Sequence, residues 1–210
     1  MNKTLLMAAL AAGLQAGGAL AADMDNAAPD DWSGFYAGAY AAYVYGDVDF
    51  GSPMAASSGT ADGFRLGGLG GYNRQFGENI VFGIEGDIGF LDVGRASGPI
   101  DDFDIEPEGR VRLRAAWAYG NFLPFMAGGL SLADADLNIP GTRVDSNLHW
   151  GFNAGAGVDV ALTEKIAGRV EYIYDSYFSE TYSYPGFGAT FPVDWDSHTI
   201  RAAVTYRFNW

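Results

Sequence analysis

The stretch that closes the chain constrains its fold more than any other. From Thr199 onward, Ile200, Ala202, Val204, Tyr206, Phe208 and Trp210 alternate with Thr199, Arg201, Ala203, Thr205, Arg207 and Asn209. One set is apolar or aromatic, and the other is polar, charged or small. A period of two means a β-strand with one apolar and one polar face. Such a strand suits two settings. In a soluble sandwich or lipocalin-like barrel the aromatics would face a core. In a transmembrane barrel they would face lipid, and the polar set would face the lumen.

The opposite end of the chain favours the second setting. Lys3 precedes an uncharged Ala/Leu-rich run from Leu5 to Leu20, and Ala19-Leu20-Ala21 has the A-x-A pattern of a cleavage site. Residues 1–21 therefore read as a cleaved secretory signal peptide. Residues 22–31 read as a short acidic periplasmic lead, and residues 32–210 as one barrel domain. No later run approaches the roughly 18 apolar residues a membrane helix needs. The chain has no cysteine, so an exported domain of this size must be held otherwise, as a closed hydrogen-bonded barrel is. The formal charge is −14, which argues against nucleic acid as a partner.

Alternating segments recur along the chain. The first runs from Trp32 to about Gly46, with Phe35, Ala37, Ala39, Ala41, Tyr43 and Tyr45 expected to face outward. The second runs from Phe64 to Phe76, with Phe64, Leu66 and Tyr72 opposed to Arg65 and Asn73. The third sets Ile80, Phe82, Ile84, Ile88 and Phe90 against Gly83, Glu85, Asp87 and Gly89. The fourth, from Glu108 to Tyr119, sets Val111, Leu113, Ala115, Trp117 and Tyr119 against Arg110, Arg112 and Arg114. The fifth, from Phe122 to about Ala133, has no clear facing; Pro124 sits near its start, where a missing N–H is tolerated. The sixth, Asn147 to Leu162, and the seventh, Ile166 to Asp175, alternate clearly, and the closing segment is the eighth.

Three connections, after the second, fourth and sixth segments, are short. Four read as long loops: Asp47–Asp62, Asp92–Pro107, Asp134–Ser146 and Ser176–Trp195. Short and long alternate strictly, so all long loops lie at one end. Outer-membrane barrels have this asymmetry, with short periplasmic turns and long external loops. The expected fold is all-β: an eight-stranded antiparallel up-and-down transmembrane β-barrel, its last strand paired with its first.

Four runs give the chain a family likeness. They are Trp32-Ser33-Gly34-Phe35-Tyr36-Ala37-Gly38; Gly70-Gly71-Tyr72-Asn73 with Gly83-Ile84-Glu85-Gly86-Asp87; Gly109-Arg110-Val111-Arg112-Leu113-Arg114 with Phe122 to Gly129; and Val170-Glu171-Tyr172 with His198 to Phe208. In this order they resemble the small outer-membrane β-barrel proteins of alphaproteobacteria, OmpA-like barrels known as outer membrane immunogenic or porin-family surface proteins. The resemblance implies a Gram-negative outer membrane and no enzymatic site common to the family. It says little about the long loops.

The inward faces gather a charged set. Glu85, Asp87, Asp159, Glu171 and Asp175 share the lumen with Arg65, Arg110, Arg112, Arg114, Arg169, Arg201 and Arg207. An eight-stranded barrel is only wide enough for side chains to fill. Charges there must pair, because a lone buried charge costs several kcal/mol. The expectation is a salt-bridged plug, with a hydrated path or a partner-switching gate as the sharper alternative. Acid–base catalysis by Glu85 and Asp87 fails on access, and the arginines hold them ionised.

The two histidines, His149 and His198, have no metal-like spacing. Ser146 falls on the opposite face from His149, and Ser197 on the opposite face from His198. The expectation is therefore no catalytic residue, no metal and no cofactor. The acids of the long loops read as solvated, with weak divalent-cation bridging to lipopolysaccharide as an alternative; Asp101-Asp102-x-Asp104-x-Glu106 lacks the glycine turn of an EF-hand. Tyr206, Phe208 and Trp210 resemble the terminal signal read by the barrel-assembly machinery. Expected partners are thus outer-membrane lipid, lipopolysaccharide and that machinery.

The function expected is structural, with a plugged or very narrow lumen. Alternatives are a diffusion pore, a ligand-binding or adhesion module acting through the loops, and a lipid-modifying enzyme. No peptidoglycan-binding domain is expected, and oligomeric state is open. Gly83→Ser is expected to be mild, as a change confined to the lumen.

Overall fold

The computed structural model describes the backbone of residues 31–50, 57–97, 103–139, 142–143, 147–184 and 189–208, and the side chains of 31–46, 62–89, 108–132, 150–178 and 196–208. The expected signal peptide, the lead up to residue 30 and Trp210 lie outside these residues. The strands are β1 (Gly34–Phe50), β2 (Ser57–Phe76), β3 (Ile80–Ser97), β4 (Phe103–Trp117), β5 (Phe122–Ile139), a two-residue β6 (Thr142–Arg143), β7 (Asn147–Ala161), β8 (Ile166–Tyr184) and β9 (Ala189–Phe208).

Every pairing is antiparallel. The eight long strands run β4-β3-β2-β1-β9-β8-β7-β5 around the molecule, and β4 pairs with β5 to complete the ring. The first and last strands pair as expected, from Phe35 opposite Phe208 to Phe50 opposite Val193. A closed ring leaves no backbone group on an open edge, which is what a bilayer demands. β6 adds only a two-pair bridge to β5, at the end away from the tight turns.

The three tight connections lie at one end. Ala118 N–H donates to the Asn79 carbonyl at 2.7 Å, Ala161 N–H to the Asn121 carbonyl at 2.8 Å, and Arg207 N–H to the Lys165 carbonyl at 2.8 Å. Each turn is thereby tied to a neighbouring strand. Gly77 and Gly120 take left-handed φ values of 61° and 55° there, a conformation that costs glycine nothing.

Alternation along each strand decides its faces. Outward lie Ile80, Phe82, Ile84 and Ile88 of β3, Val111, Leu113 and Trp117 of β4, and Val204, Tyr206 and Phe208 of β9. Leu113 is 69% exposed although it sits mid-strand, which only a lipid-facing wall explains. β1 faces as its sequence suggests, with Phe35 outward and Tyr36 and Tyr40 buried. In β5, Leu123, Phe125, Ala127 and Ser131 point inward while Phe122, Met126 and Leu130 point outward. The side chain of Phe90 lies outside the described residues.

The expected long loops are mostly strand. β1 continues to Phe50 and β2 begins at Ser57; β3 continues to Ser97 and β4 begins at Phe103. β8 runs on to Tyr184 and β9 starts at Ala189. The ladder therefore carries on well beyond the alternating part. Register shifts fall near that transition, at Leu66/Gly67, Ile105/Glu108 and Tyr177/Glu180. Such bulges bend and twist a strand.

Candidate functional site: the charged lumen

The site is the barrel interior, built by the inward half of every alternating strand. Its lower end, next to the tight turns, is apolar. Trp32, Val81, Ala116, Ala118, Leu123, Ala161 and Ala167 form one buried cluster there. Short side chains from β3, β4, β7 and β8 leave room for the Trp32 indole, so a residue two positions before β1 caps the ring.

Arg207 belongs to this floor and not to the ion network above it. Its guanidinium lies 4.8 Å from the Trp32 ring centroid. It donates to the carbonyls of Asp31 and Glu164. The expectation that Arg207 pairs with lumen carboxylates is corrected: it is the last inward residue of β9 and reaches the chain entry and a turn instead.

Above the floor the charges are stacked in contact. Asp159 takes Arg114 at 2.8 Å and the Arg169 Nε at 2.5 Å. The Phe125 ring backs both guanidiniums, at 4.1 and 4.8 Å. The next carboxylate up is Glu85, only 1% exposed. It meets Arg112 and Arg169, Arg201 at 2.9 Å and Arg114 at 3.4 Å, and accepts the Tyr36 hydroxyl at 2.7 Å. Glu171 joins Arg112 at 2.6 Å and Arg201 at 2.8 Å.

Higher still, Asp87 meets Arg201 at 3.1 Å and Arg110 at 3.2 Å. Asp175 holds Arg110 by both Nε and Nη2, at 2.8 and 2.9 Å. It also accepts the Ser131 hydroxyl at 2.7 Å. Glu108 closes the upper end, in contact with Arg65, with Arg110 at 2.5 Å and with the Tyr177 hydroxyl at 2.6 Å. All these charged side chains are buried. Burying ions singly is costly; each one here meets at least one opposite charge and most meet two or more, many through charge-assisted hydrogen bonds.

Register explains the match. β3 sets Glu85 opposite Arg112 and Asp87 opposite Arg110. β8 sets Glu171 opposite Arg201 on β9, and β7 sets Asp159 opposite Arg169 on β8. Long guanidinium arms then cross the lumen to the far wall. Among the described residues, six carboxylates (Glu85, Asp87, Glu108, Asp159, Glu171, Asp175) face six arginines (Arg65, Arg110, Arg112, Arg114, Arg169, Arg201). This network above the floor is balanced in formal charge, and Arg207 in the floor adds one positive charge to the described interior.

Glu108, Tyr36, Tyr40, Ser131 and Asn153 belong to this interior and were not among the expected site residues. Parity was a usable signal for Glu108, which is in step with Arg110, Arg112 and Arg114. Tyr36 and Tyr40 are in step with each other in β1. Glycines opposite make space for them: a Cβ on Gly71 would lie 2.6 Å from the Tyr36 hydroxyl.

His198 lies on the outer wall, its Nδ1 2.7 Å from the Tyr172 hydroxyl. Ser197 points inward, 3.5 Å from Asp175, so the two form no catalytic pair. The side chains of His149, Ser146 and the acids from Asp101 to Glu106 lie outside the described residues. Among the described residues no three His, Cys, Asp or Glu side chains are placed to hold a metal.

Residues 6–208 match a family model described as outer membrane protein beta-barrel domain. The 25 kDa outer-membrane immunogenic protein of Brucella canis is 30% identical over 179 residues, which cover 84% of this chain and 79% of the relative. The 22 kDa outer membrane protein of Rhizobium leguminosarum bv. viciae is also 30% identical over 179 residues, covering 84% and 78%. Among solved structures, OprG of Pseudomonas aeruginosa superimposes with a TM-score of 0.59 at 16% identity, over 87% of this chain and 99% of its own. AlkL gives 0.58 at 13% identity, over 87% and 93%. At such identities the likeness is one of fold.

Proposed function

Because this chain belongs to the family of outer membrane protein beta-barrel domains, and its home is accordingly the outer membrane of a Gram-negative bacterium, we propose that it works there as a structural barrel with a closed lumen. The observation that carries this reading is the interior itself. An apolar floor lies beneath six carboxylates matched to six arginines. A solute would have to part several multiply bonded guanidiniums and then displace the Trp32 plate. Fixed ion pairs that cross from wall to wall also brace the ring. Among the described residues every lumen carboxylate is in contact with arginine, which leaves none of them poised as a general base, and no catalysis is assigned.

The reading extends to partners. The apolar outer faces meet acyl chains, the upper end meets lipopolysaccharide, and Tyr206, Phe208 and Trp210 present the closing strand to the assembly machinery. The test is planar-bilayer recording of the purified full barrel. Conductance that is absent or far below that of an open pore is expected. Large, steady conductance would move the protein to the diffusion-pore class.

Strand length favours a second role beside the first. β2 and β9 each have 20 residues, whereas a tilted strand crosses a bilayer in about 9–11. Roughly half of each tall hairpin therefore stands clear of lipid, as a surface for binding or adhesion. Barrels with shortened β1–β2 and β8–β9 hairpins should keep their fold and lose surface binding if this role holds.

A further inference from the structure

The outer wall carries one arginine whose place the barrel itself does not explain. Among the described residues, every other arginine lies inside, in the ion network or the floor. Arg74 points the other way. It is exposed on β2, in step with Tyr72 and Phe76, three residues before the Gly77 turn. Its guanidinium stands 5.6 Å over the Phe76 ring. Phe76 in turn meets Phe82 edge-on at 6.0 Å, and Phe82 is the cross-strand partner of Arg74. Both rings are about half exposed. No carboxylate pairs with Arg74 among the described residues.

Its height on the barrel matters as much as its contacts. Arg74 sits at the end of the tight turns, within an aromatic belt that includes Phe35, Tyr72, Trp117 and Tyr119. The turn end of an outer-membrane barrel faces the periplasm, so this belt lies at the inner leaflet. The turns at this end also expose Glu78, Glu164 and Lys165, and the opposite rim exposes Asp62 and Asp196, where Asp62 accepts the Tyr43 hydroxyl at 2.8 Å. In a chain of net charge −14, an unpaired cation held over the Phe76 ring, with Phe82 packed against that ring, at a lipid interface needs an external anion. A planar guanidinium matches the phosphate oxygens in a fork, while the phenyl rings meet the first methylenes of the acyl chains.

We infer that Arg74, Phe76 and Phe82 form a binding site for the phosphodiester of an anionic glycerophospholipid in the inner leaflet. The rings hold the guanidinium level with the headgroups and provide the apolar side of the site. The site does not depend on whether the lumen conducts.

The chain has no cysteine, so a single reporter can be placed beside the site. Ala115 is exposed and lies opposite Phe82 on β4, about 10 Å from Arg74 at the usual strand spacing. Ala115→Cys, labelled with bimane and refolded into phosphatidylcholine vesicles, reads the nearby lipid through quenching by brominated chains. Brominated phosphatidylglycerol is compared with brominated phosphatidylcholine at equal mole fraction. The expected preference for the glycerol headgroup is about fivefold, the effect of one basic residue at an anionic surface. It should vanish in Arg74→Gln, persist in part in Arg74→Lys, and fall with added salt. Heat-modifiability confirms that each variant is folded. Should Arg74→Gln fail to fold, the salt titration of the labelled parent decides alone. Equal quenching by the two lipids, a preference unmoved by Arg74→Gln in a folded barrel, or one indifferent to salt would overturn the site.

Discussion

Glu85 is the residue on which the lumen turns. Its two oxygens serve four guanidiniums, from β4, β8 and β9, and a tyrosine hydroxyl from β1. Glu85→Gln keeps the shape and removes the charge, leaving four arginines short of compensation. Breaking a buried pair costs about 3–5 kcal/mol, so urea unfolding in lipid should show a loss of that order; a loss below about 1 kcal/mol would mean the network is slack. Gly83, two residues earlier, reverses the expectation of a mild lumen position. A Cβ there would run into the Asn73 side chain and lie 2.7 Å from the Tyr72 carbonyl oxygen. Gly83→Ser should therefore cost about 1–3 kcal/mol as overpacking, close to the roughly 2–4 kcal/mol expected for Ile84→Arg on the lipid side. Paired unfolding curves of the two variants check this. The facing of both residues was plain from their alternation. The crowding around Gly83 was not, because it depends on Asn73 and Arg114 of neighbouring strands, and cross-strand register is absent from a single segment's pattern.

At the level of the strand, apolar alternation records lipid rather than β-structure. Within the bilayer one face must be apolar, and period two shows at once in Ile80 to Ile88. Above the bilayer both faces meet water and the pattern lapses, although the hydrogen-bonded ladder continues. That is why Asp47 to Phe50 and Ser57 to Asp62 read as loop and are strand. The register shifts at Leu66/Gly67, Ile105/Glu108 and Tyr177/Glu180 sit near this change of medium. β9 shows the alternation most cleanly, and it is the strand that closes the ring on β1. Deleting Trp210, two residues beyond β9 in the sequence, should lower the amount of heat-modifiable barrel in the outer membrane and raise periplasmic precursor. Immunoblots of unheated fractions measure both, and normal assembly of the truncated chain would count against a terminal signal.

Taken whole, the molecule couples closure to stability. The ion pairs that fill the lumen also tie β3, β4, β7, β8 and β9 across its width. Arg112 contacts Glu85 and Glu171, on different strands, so Arg112→Ala should both weaken the ring and vacate volume into which water can enter. Lower urea stability together with higher single-channel conductance is the expected result; a change in one without the other would separate bracing from plugging. The six-against-six balance also bears on how such a barrel descends with modification. Any one charge change inside leaves a partner stranded, so the lumen should evolve slowly and by compensating pairs. Val111, Leu113 or Val204 meets only fluid acyl chains, and lineages can exchange such residues freely, one at a time. Two branches long separated would then look unrelated from the membrane and nearly identical from within.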